Sequence, residues 1–321
     1  MTRIGIKDLG AAARRIDGLV RRTPSLRVEP GALVAGRGVT LKLDLLQPTG
    51  SFKVRGAASL LTATDPTATD PTGTDPTGTD AAVVAASGGN FGLAVAWAAA
   101  RLGREAVVFV PATTPADKLA HFAALGANVE VVPGFYAEAL AAAEAYREAT
   151  GARWAHAYDQ AEVVAGQGTA ALELLADHPE LTTLVVACGG GGLLAGTVAA
   201  AGGRRVVAVE TTGTATLHAA RRAGRPVDVE VGGLAASSLG ARRIGDHAWA
   251  VQDRVERVVL ISDDDVREAQ RRLWGATRLV AEPGGAAALA AVIRGAVPLG
   301  PDDEVGVLVC GANTDPGAIL G

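Results

Sequence analysis

The feature that most constrains the fold is a regular alternation of short apolar runs with alanine-rich segments of helical length. The apolar runs are rich in β-branched residues and predict buried strands at 81–87, 106–111, 129–133, 181–188, 204–210, 257–262 and 304–310. Helices are predicted at 91–102, 115–125, 135–149, 162–176, 193–201, 263–277 and 284–294. Strands that alternate with helices form mostly parallel sheets with helices on both faces, so the sequence predicts an α/β protein.

Composition limits the partners that this chain can have. Its 321 residues, 49% of them hydrophobic, suffice for two domains with buried cores. A formal net charge of -4 provides no basic surface for nucleic acid or for an anionic membrane, so a small-molecule partner fits better. No apolar run has the length of a membrane span, and the first residues lack a signal-peptide pattern. Because Cys188 and Cys310 are too few for a disulfide framework, we expect a cytoplasmic protein.

Residues 62–80 form a low-complexity insert. The run repeats Asp, Pro, Thr, Ala and Gly and has almost nothing to bury, which predicts a surface loop between a helix and the strand at 81. Its Pro-Thr-Gly triplets repeat residues 48–50, which instead follow the apolar, strand-like run VTLKLDLL. We therefore interpret the later copies as having no part in a functional site.

A run of glycines lies between a predicted strand and a predicted helix. It consists of Gly189, Gly190, Gly191 and Gly192. Glycines let backbone N–H groups approach a phosphate closely, and a helix N-terminus adds partial positive charge, so the run and Leu193 predict an anion-binding loop. Residues 190–195 also satisfy the dinucleotide fingerprint G-x-G-x-x-G/A, and Glu210 ends the next strand about 20 residues later. An NAD-dependent oxidoreductase is therefore an alternative.

Polar residues follow other predicted strands. Ser87, Gly88 and Asn90 lie between a strand and a helix, where they offer a hydroxyl, a backbone N–H and an amide to an anionic or phenolic ligand. Cys310 ends the last predicted strand. Because ligands of α/β proteins bind at the carboxyl ends of the strands, these residues are candidates for the same site.

Lysine is scarce in this chain, since only four of the 30 basic residues are lysines. Lys53 lies among small residues at the start of an apparent helix, where burial and nearby N–H dipoles are expected to lower its pKa and favour a neutral, nucleophilic amine. An amine, a phosphate loop, an asparagine and a cysteine match the aldehyde, phosphate, phenolic oxygen and ring nitrogen of pyridoxal phosphate. NAD gives Lys53 no role.

With these residues in view, the chain resembles the serine/threonine dehydratase family of fold-type II pyridoxal-phosphate enzymes, which also contains serine racemase. The resemblance rests on ordered segments: KLDLLQPTGSFKVRGA, SGGNFGLAVAWAA, PATTPADKLAHFAALGANV, GQGTAALEL, CGGGGLLAG, EPGGAAALAA and VLVCGAN. It implies a tryptophan synthase β-like fold with two open, twisted, mostly parallel sheets. Residues 1–81 and 156–321 would form a large cofactor-binding domain, and 82–155 a small mobile domain. A homodimer is also implied.

The resemblance implies a role for each candidate residue. Lys53 would carry the cofactor aldehyde and act as base, with Ser87 as the second catalytic residue. Phe52 would pack against the cofactor ring, Asn90 would bond its phenolic oxygen, and Cys310 would face its nitrogen. The glycine run with Leu193 would hold the phosphate. The remaining implied contacts are Glu282 near the ring, and Ser87, Gly88, Asn90 and Asp159 near the amino-acid substrate.

The implied reaction is the conversion of L-serine, L-threonine or a related β-hydroxy amino acid to a 2-oxo acid and ammonia. Gly88 stands where racemases of the family carry a second serine, which disfavours racemisation, and Phe91 replaces the usual histidine. A β-replacement synthase or racemase of the same fold and a non-catalytic cofactor-binding protein remain alternatives. No metal is expected, because Glu210 is the only acid in the segment that binds a cation in some members.

Overall fold

The computed structural model describes residues 3–63 and 82–320. The strands are β1 (Ser25–Val28), β2 (Val39–Leu43), β3 (Val83–Ala86), β4 (Ala106–Pro111), β5 (Asn128–Val132), β6 (Arg153–Trp154), β7 (Thr183–Ala187), β8 (Arg205–Thr211), β9 (Arg257–Ile261) and β10 (Val305–Val309). The α-helices are α1 (Ile6–Ile16), α2 (Lys53–Thr62), α3 (Asn90–Arg101), α4 (Ala116–Ala124), α5 (Tyr136–Thr150), α6 (Ala161–Asp177), α7 (Gly192–Ala200), α8 (Thr216–Ala223), α9 (Asp246–Trp249), α10 (Asp263–Thr277), α11 (Pro283–Ile293) and α12 (Gly317–Leu320).

The strands form two sheets. The larger has the order β1-β2-β10-β7-β8-β9 and is parallel except for the antiparallel pair of β1 and β2. The smaller, β5-β4-β3-β6, is parallel throughout and takes its strands from residues 83–154. The predicted α/β class with two mostly parallel sheets is therefore confirmed.

Helices cover both faces of the larger sheet. Successive residues of β7 point to opposite faces, as the strand period of two requires. Leu184 and Val186 belong to the core beneath α6 and α7, whereas Val185 and Ala187 belong to the core beneath α10 and α11. The central strands consequently read as continuous apolar runs, which is why the sequence located them.

Every predicted strand and helix is present, with its ends within about two residues of the prediction. The prediction missed β1, whose central residues are exposed, and β6, which has only two residues. It also missed α1, α8, α9 and α12. The predicted loop at 62–80 lies outside the described residues, except for residues 62 and 63. No helix in the described part of the chain has both the length and the apolar character needed to span a membrane.

The loop that carries Lys53 is attached to the end of the last strand. The backbone N–H of Phe52 donates to the carbonyl of Cys310 at 2.9 Å, and Ala312 N donates to Gly50 O at 2.8 Å. An isolated bridge pairs Ser51 with Gly311. Residues that are far apart in the sequence thus meet at the carboxyl end of β10, next to the carboxyl end of β7.

Candidate active site

Lys53 is the first residue of α2 and points toward the site. Its Nζ donates to the carbonyl of Ala157 at 2.8 Å and lies 5.0 Å from the ring centre of Phe52 and 5.7 Å from that of Phe91. Burial lowers the pKa of the Lys53 amine to about 8, although the fields of Cys310 and Glu282 act in the opposite direction. A useful fraction of the amine is therefore neutral near physiological pH, as nucleophilic attack and proton abstraction require.

The glycine run links the end of β7 to the start of α7. Gly191 has a φ of 90°, in the left-handed region that favours glycine. A Cβ on Gly190 would overlap the Tyr158 ring, and one on Gly192 would lie 2.7 Å from the Tyr158 carbonyl oxygen and 2.5 Å from Gln167 Oε1. Only glycines fit this surface, and the first N–H groups of α7 have no partners within the helix.

The residues present fit the groups of pyridoxal phosphate. The N-terminus of α7 suits a phosphate, since its N–H groups and helix dipole favour an anion. Gln167 Oε1, which lies beside Gly192 at this N-terminus, is buried and has no hydrogen-bond partner among the described residues, and the same holds for Ser51 Oγ in the loop that carries Lys53. The amine of Lys53 suits the aldehyde, and the thiol of Cys310 can donate to the pyridine nitrogen.

Cys310 directly follows β10 and lies against the start of α11, where Glu282 is located. The Cys310 Sγ is 3.7 Å from the Gly284 carbonyl oxygen, and burial raises the pKa of this thiol far above its usual range. Glu282 is the N-cap residue of α11, and its Oε1 accepts from Asn90 Nδ2 at 2.6 Å. Burial raises the pKa of the Glu282 carboxyl to about 7. Both groups are therefore largely protonated in mildly acidic solution.

The segment between β3 and α3 carries Ser87, Gly88 and Asn90. The backbone N–H of Ser87 donates to the carbonyl of Phe109 at 3.1 Å, which ties the segment to β4. A Cβ on Gly88 would lie 2.9 Å from Thr114 Oγ1, so the Thr114 hydroxyl occupies the space beside this glycine. Sequence reasoning missed Thr114, because nothing local links it to Gly88.

Asp159 has a structural partner. Its Oδ2 accepts from Asp246 N at 2.9 Å and its Oδ1 accepts from His247 N at 3.0 Å, so the carboxylate caps the start of α9. The same short helix follows Gly245, whose N–H donates to Gly190 O at 3.0 Å. The structure thus places Asp159 beside the glycine run, with both oxygens engaged. The predicted contact with substrate stays a prediction.

Glu210 at the end of β8 also caps a helix. Its Oε1 accepts from Leu217 N at 2.7 Å and from Thr216 Oγ1 at 3.0 Å, and its Oε2 accepts from His218 N at 2.9 Å. Burial raises the pKa of this carboxyl to about 7. Within residues 3–63 and 82–320, no group of three or more His, Cys, Asp or Glu side chains could hold a metal ion.

A buried ionic network beneath α2 escaped the sequence analysis. The Arg55 guanidinium donates to Asp44 Oδ2 and to Glu173 Oε1, each at 2.7 Å, and Lys42 Nζ donates to Glu173 Oε2 at 2.6 Å. Lys42 and Arg55 are fully buried. Because Arg55 is two residues beyond Lys53, the network holds the first turn of α2 against β2 and α6. In the sequence, the Lys-x-Arg spacing within a segment of small residues was the only local indication of this network.

Comparisons with known proteins give consistent matches. The family model described as pyridoxal-phosphate dependent enzyme matches residues 16–311. The L-threonine ammonia-lyase of Thermotoga maritima is 31% identical over 317 residues, which cover 97% of this chain and 76% of that protein. A crystal structure of threonine deaminase from T.th. superposes with a TM-score of 0.86 at 33% identity, covering 97% of this chain and 99% of that one. Maize serine racemase has a TM-score of 0.88 at 27% identity, over 99% of this chain and 96% of that one.

Proposed function

The chain belongs to the pyridoxal-phosphate dependent enzymes, and on this premise we propose that it is an ammonia-lyase acting on L-threonine, L-serine or a related β-hydroxy amino acid. The products are a 2-oxo acid and ammonia. The names of the relatives, threonine ammonia-lyase and threonine deaminase, support this substrate class. Membership of the family excludes the NAD-dependent oxidoreductase, and the predicted cofactor is confirmed. The observation that carries the proposal is the position of Lys53 at the start of α2, where its Nζ donates to the Ala157 carbonyl and burial lowers the pKa of the amine to about 8.

We assign the binding of each cofactor group to a residue of the site. Lys53 would hold the aldehyde, the N–H groups at the start of α7 would hold the phosphate, Asn90 would bond the phenolic oxygen, and the Cys310 thiol would serve the ring nitrogen. When bound, pyridoxal phosphate withdraws electrons from the Cα of an attached amino acid and makes its α-proton acidic.

Lys53 is the proposed general base. The Ala157 carbonyl accepts a hydrogen bond from Nζ and thereby aims the amine, and the ring centres of Phe52 and Phe91 lie 5.0 Å and 5.7 Å from it. Cys310 stays a thiol because burial strongly raises its pKa, and a thiol donates only a weak hydrogen bond. A weak donor at the ring nitrogen supports elimination over reactions that need a long-lived carbanion.

Gly88 supports elimination over racemisation. A racemase needs an acid that returns the proton to the opposite face of Cα, and glycine has no side chain to supply it. The space that a side chain at residue 88 would use contains the Thr114 hydroxyl, 2.9 Å from the Cβ position. The likeness to maize serine racemase makes racemisation the second candidate, and its rate is expected to be negligible beside 2-oxo acid formation.

We further propose that residues 82–155, which contain the smaller sheet, close as a small domain over the substrate against a large domain of residues 1–81 and 156–321. The resemblance to the family also leads us to propose a homodimer, which light scattering would measure. A cytoplasmic location is supported by the two cysteines, Cys188 and Cys310, which are free and buried.

The test is an assay of the purified, cofactor-loaded enzyme with serine, threonine, hydroxyaspartate and larger β-substituted amino acids, with ammonia and 2-oxo acid measured together. We expect equal amounts of both products from one of the β-hydroxy substrates. Lys53→Ala is expected to abolish turnover and the yellow colour that borohydride bleaches, whereas Lys7→Ala, a change at an exposed lysine, leaves both intact. Serine racemisation as fast as 2-oxo acid formation would contradict the proposal.

A β-replacement synthase is distinguished by its need for a second substrate. In the same panel it would release little ammonia until a thiol or another nucleophile is added. Ammonia release that depends on such a nucleophile would therefore move the assignment to that reaction.

A further inference from the structure

Asn90 lies on a chain of hydrogen bonds that begins at a backbone carbonyl. The Asn313 Nδ2 donates to Thr49 O at 2.8 Å and to Asn90 Oδ1, also at 2.8 Å. A carbonyl oxygen can only accept, so the atom of Asn313 that faces Thr49 must be its nitrogen. Both N–H groups of Asn313 are then used, and the atom of Asn90 that faces Asn313 must be an oxygen.

The orientation of the Asn90 amide follows from this chain of hydrogen bonds. With Oδ1 facing Asn313, its Nδ2 faces Glu282 and donates to Oε1 at 2.6 Å. A flipped amide would set oxygen against the Glu282 carboxyl and N–H against the N–H of Asn313, which loses both hydrogen bonds. An amide nitrogen has two hydrogens, and the second one on Asn90 has no acceptor among the described residues.

Two glycines make room for these hydrogen-bonded side chains. Gly50 has a φ of 72°, and a Cβ on it would overlap Asn313 Oδ1. A Cβ on Gly311 would overlap Glu282 Oε1. The triplet at residues 48–50 therefore supplies both the anchoring carbonyl of Thr49 and the space for Asn313.

We propose that Asn313 is a positioning residue that locks the Asn90 amide, so that its remaining N–H is presented to the phenolic oxygen of the cofactor. In this role Asn313 acts through Asn90, to which its side chain is hydrogen-bonded. The inference rests on the proposed binding of pyridoxal phosphate at this site and is independent of which amino acid reacts.

Asn313→Asp tests the inference because it keeps the shape of the side chain and removes both N–H donors. The Asn90 amide then gains by turning its nitrogen toward residue 313, which takes the free N–H away from the cofactor. We expect the affinity of the apoprotein for pyridoxal phosphate, measured by absorbance titration, to fall about five- to tenfold, the value of one hydrogen bond. Asn313→Ala, which removes the donors without adding charge, is expected to weaken binding by a similar factor.

The matched control is Asn128→Asp. The Asn128 side-chain amide also donates a hydrogen bond, here to Glu105 Oε1 at 2.8 Å, but at the start of β5, at the end of the smaller sheet that lies away from the site. The affinity of the Asn128→Asp variant for the cofactor is expected to equal that of the unaltered protein. Melting temperatures of the apoproteins establish that each variant is folded.

A double-mutant cycle separates positioning from a general structural role. In an Asn90→Ala background, Asn313→Asp is expected to change the cofactor affinity less than twofold, because its target is gone. Unchanged affinity in the single variant Asn313→Asp, or the same loss with and without Asn90, would overturn the inference. Failure of the unaltered apoprotein to bind pyridoxal phosphate would instead overturn the proposed function on which the inference rests.

Discussion

Replacing Glu282 with glutamine is expected to stabilise the apoprotein at pH 8 and to change its stability little at pH 5. Glu282 is only 6% exposed and accepts a hydrogen bond from Asn90. Burial raises the pKa of its carboxyl from an ordinary 4.5 to about 7, while the hydrogen bond from Asn90 and the charges of Lys118 and Lys53 lower it. Glutamine keeps an oxygen that can accept from Asn90 and carries no charge to bury.

The pH dependence follows from the different pKa of Glu282 in the folded and unfolded protein. Between pH 4.5 and pH 7 the unfolded chain has lost this proton while the folded protein still binds it, so the free energy of unfolding falls as the pH rises. Above pH 7 the full cost of the buried charge is present. A tenfold change in a protonation equilibrium is worth about 1.4 kcal/mol, so this cost is about 3 kcal/mol at pH 8 and below about 1 kcal/mol at pH 5.

The assay is urea unfolding of both apoproteins between pH 5 and pH 8, followed by circular dichroism. The gain of Glu282→Gln in the free energy of unfolding should grow with pH up to about 3 kcal/mol. Glu148→Gln makes the same change at an exposed position of α5 and should alter stability by less than about 0.5 kcal/mol at every pH. A gain that is equal at both ends of the pH range, or a loss at pH 8, would refute the reasoning.

Three further predictions concern the site and its support. Reconstitution of the apoprotein with pyridoxal phosphate should speed up with pH around a midpoint of about 8, because the Lys53 amine must be neutral; a midpoint near 10.5, seen in stopped-flow traces, would contradict this. Gly88→Ser should permit D-serine formation only together with Thr114→Ala, which clears the hydroxyl from the new side chain; chiral chromatography of the products, with Thr114→Ala alone as control, decides. Arg55→Met should lower the free energy of unfolding, measured in urea, by about 3–5 kcal/mol, since the carboxylates of Asp44 and Glu173 lose their buried cation. A loss below about 1 kcal/mol would be inconsistent with the network.

The sequence by itself determined the fold class, the position of most elements and the order of the site motifs. These are local properties: β-branched apolar runs that are buried on both sides predict parallel strands, and a glycine run before a helix predicts an anion site whatever surrounds it. Scarcity made Lys53 conspicuous among 30 basic residues. Elements without an apolar run, such as β1 and β6, were not predicted because they lack this local signal.

Only the tertiary structure decided which side chains meet at the site. Asn313 contacts Thr49 and Asn90, which are 264 and 223 residues away in the sequence, and Thr114 fills the space beside Gly88. Both carboxylate oxygens of Asp159 accept hydrogen bonds from the start of α9, while its predicted contact with substrate stays a prediction. A hydrogen bond needs its two atoms within about 3 Å and aligned, and that geometry depends on which strand ends lie next to each other in a folded sheet, which no local pattern of residues specifies.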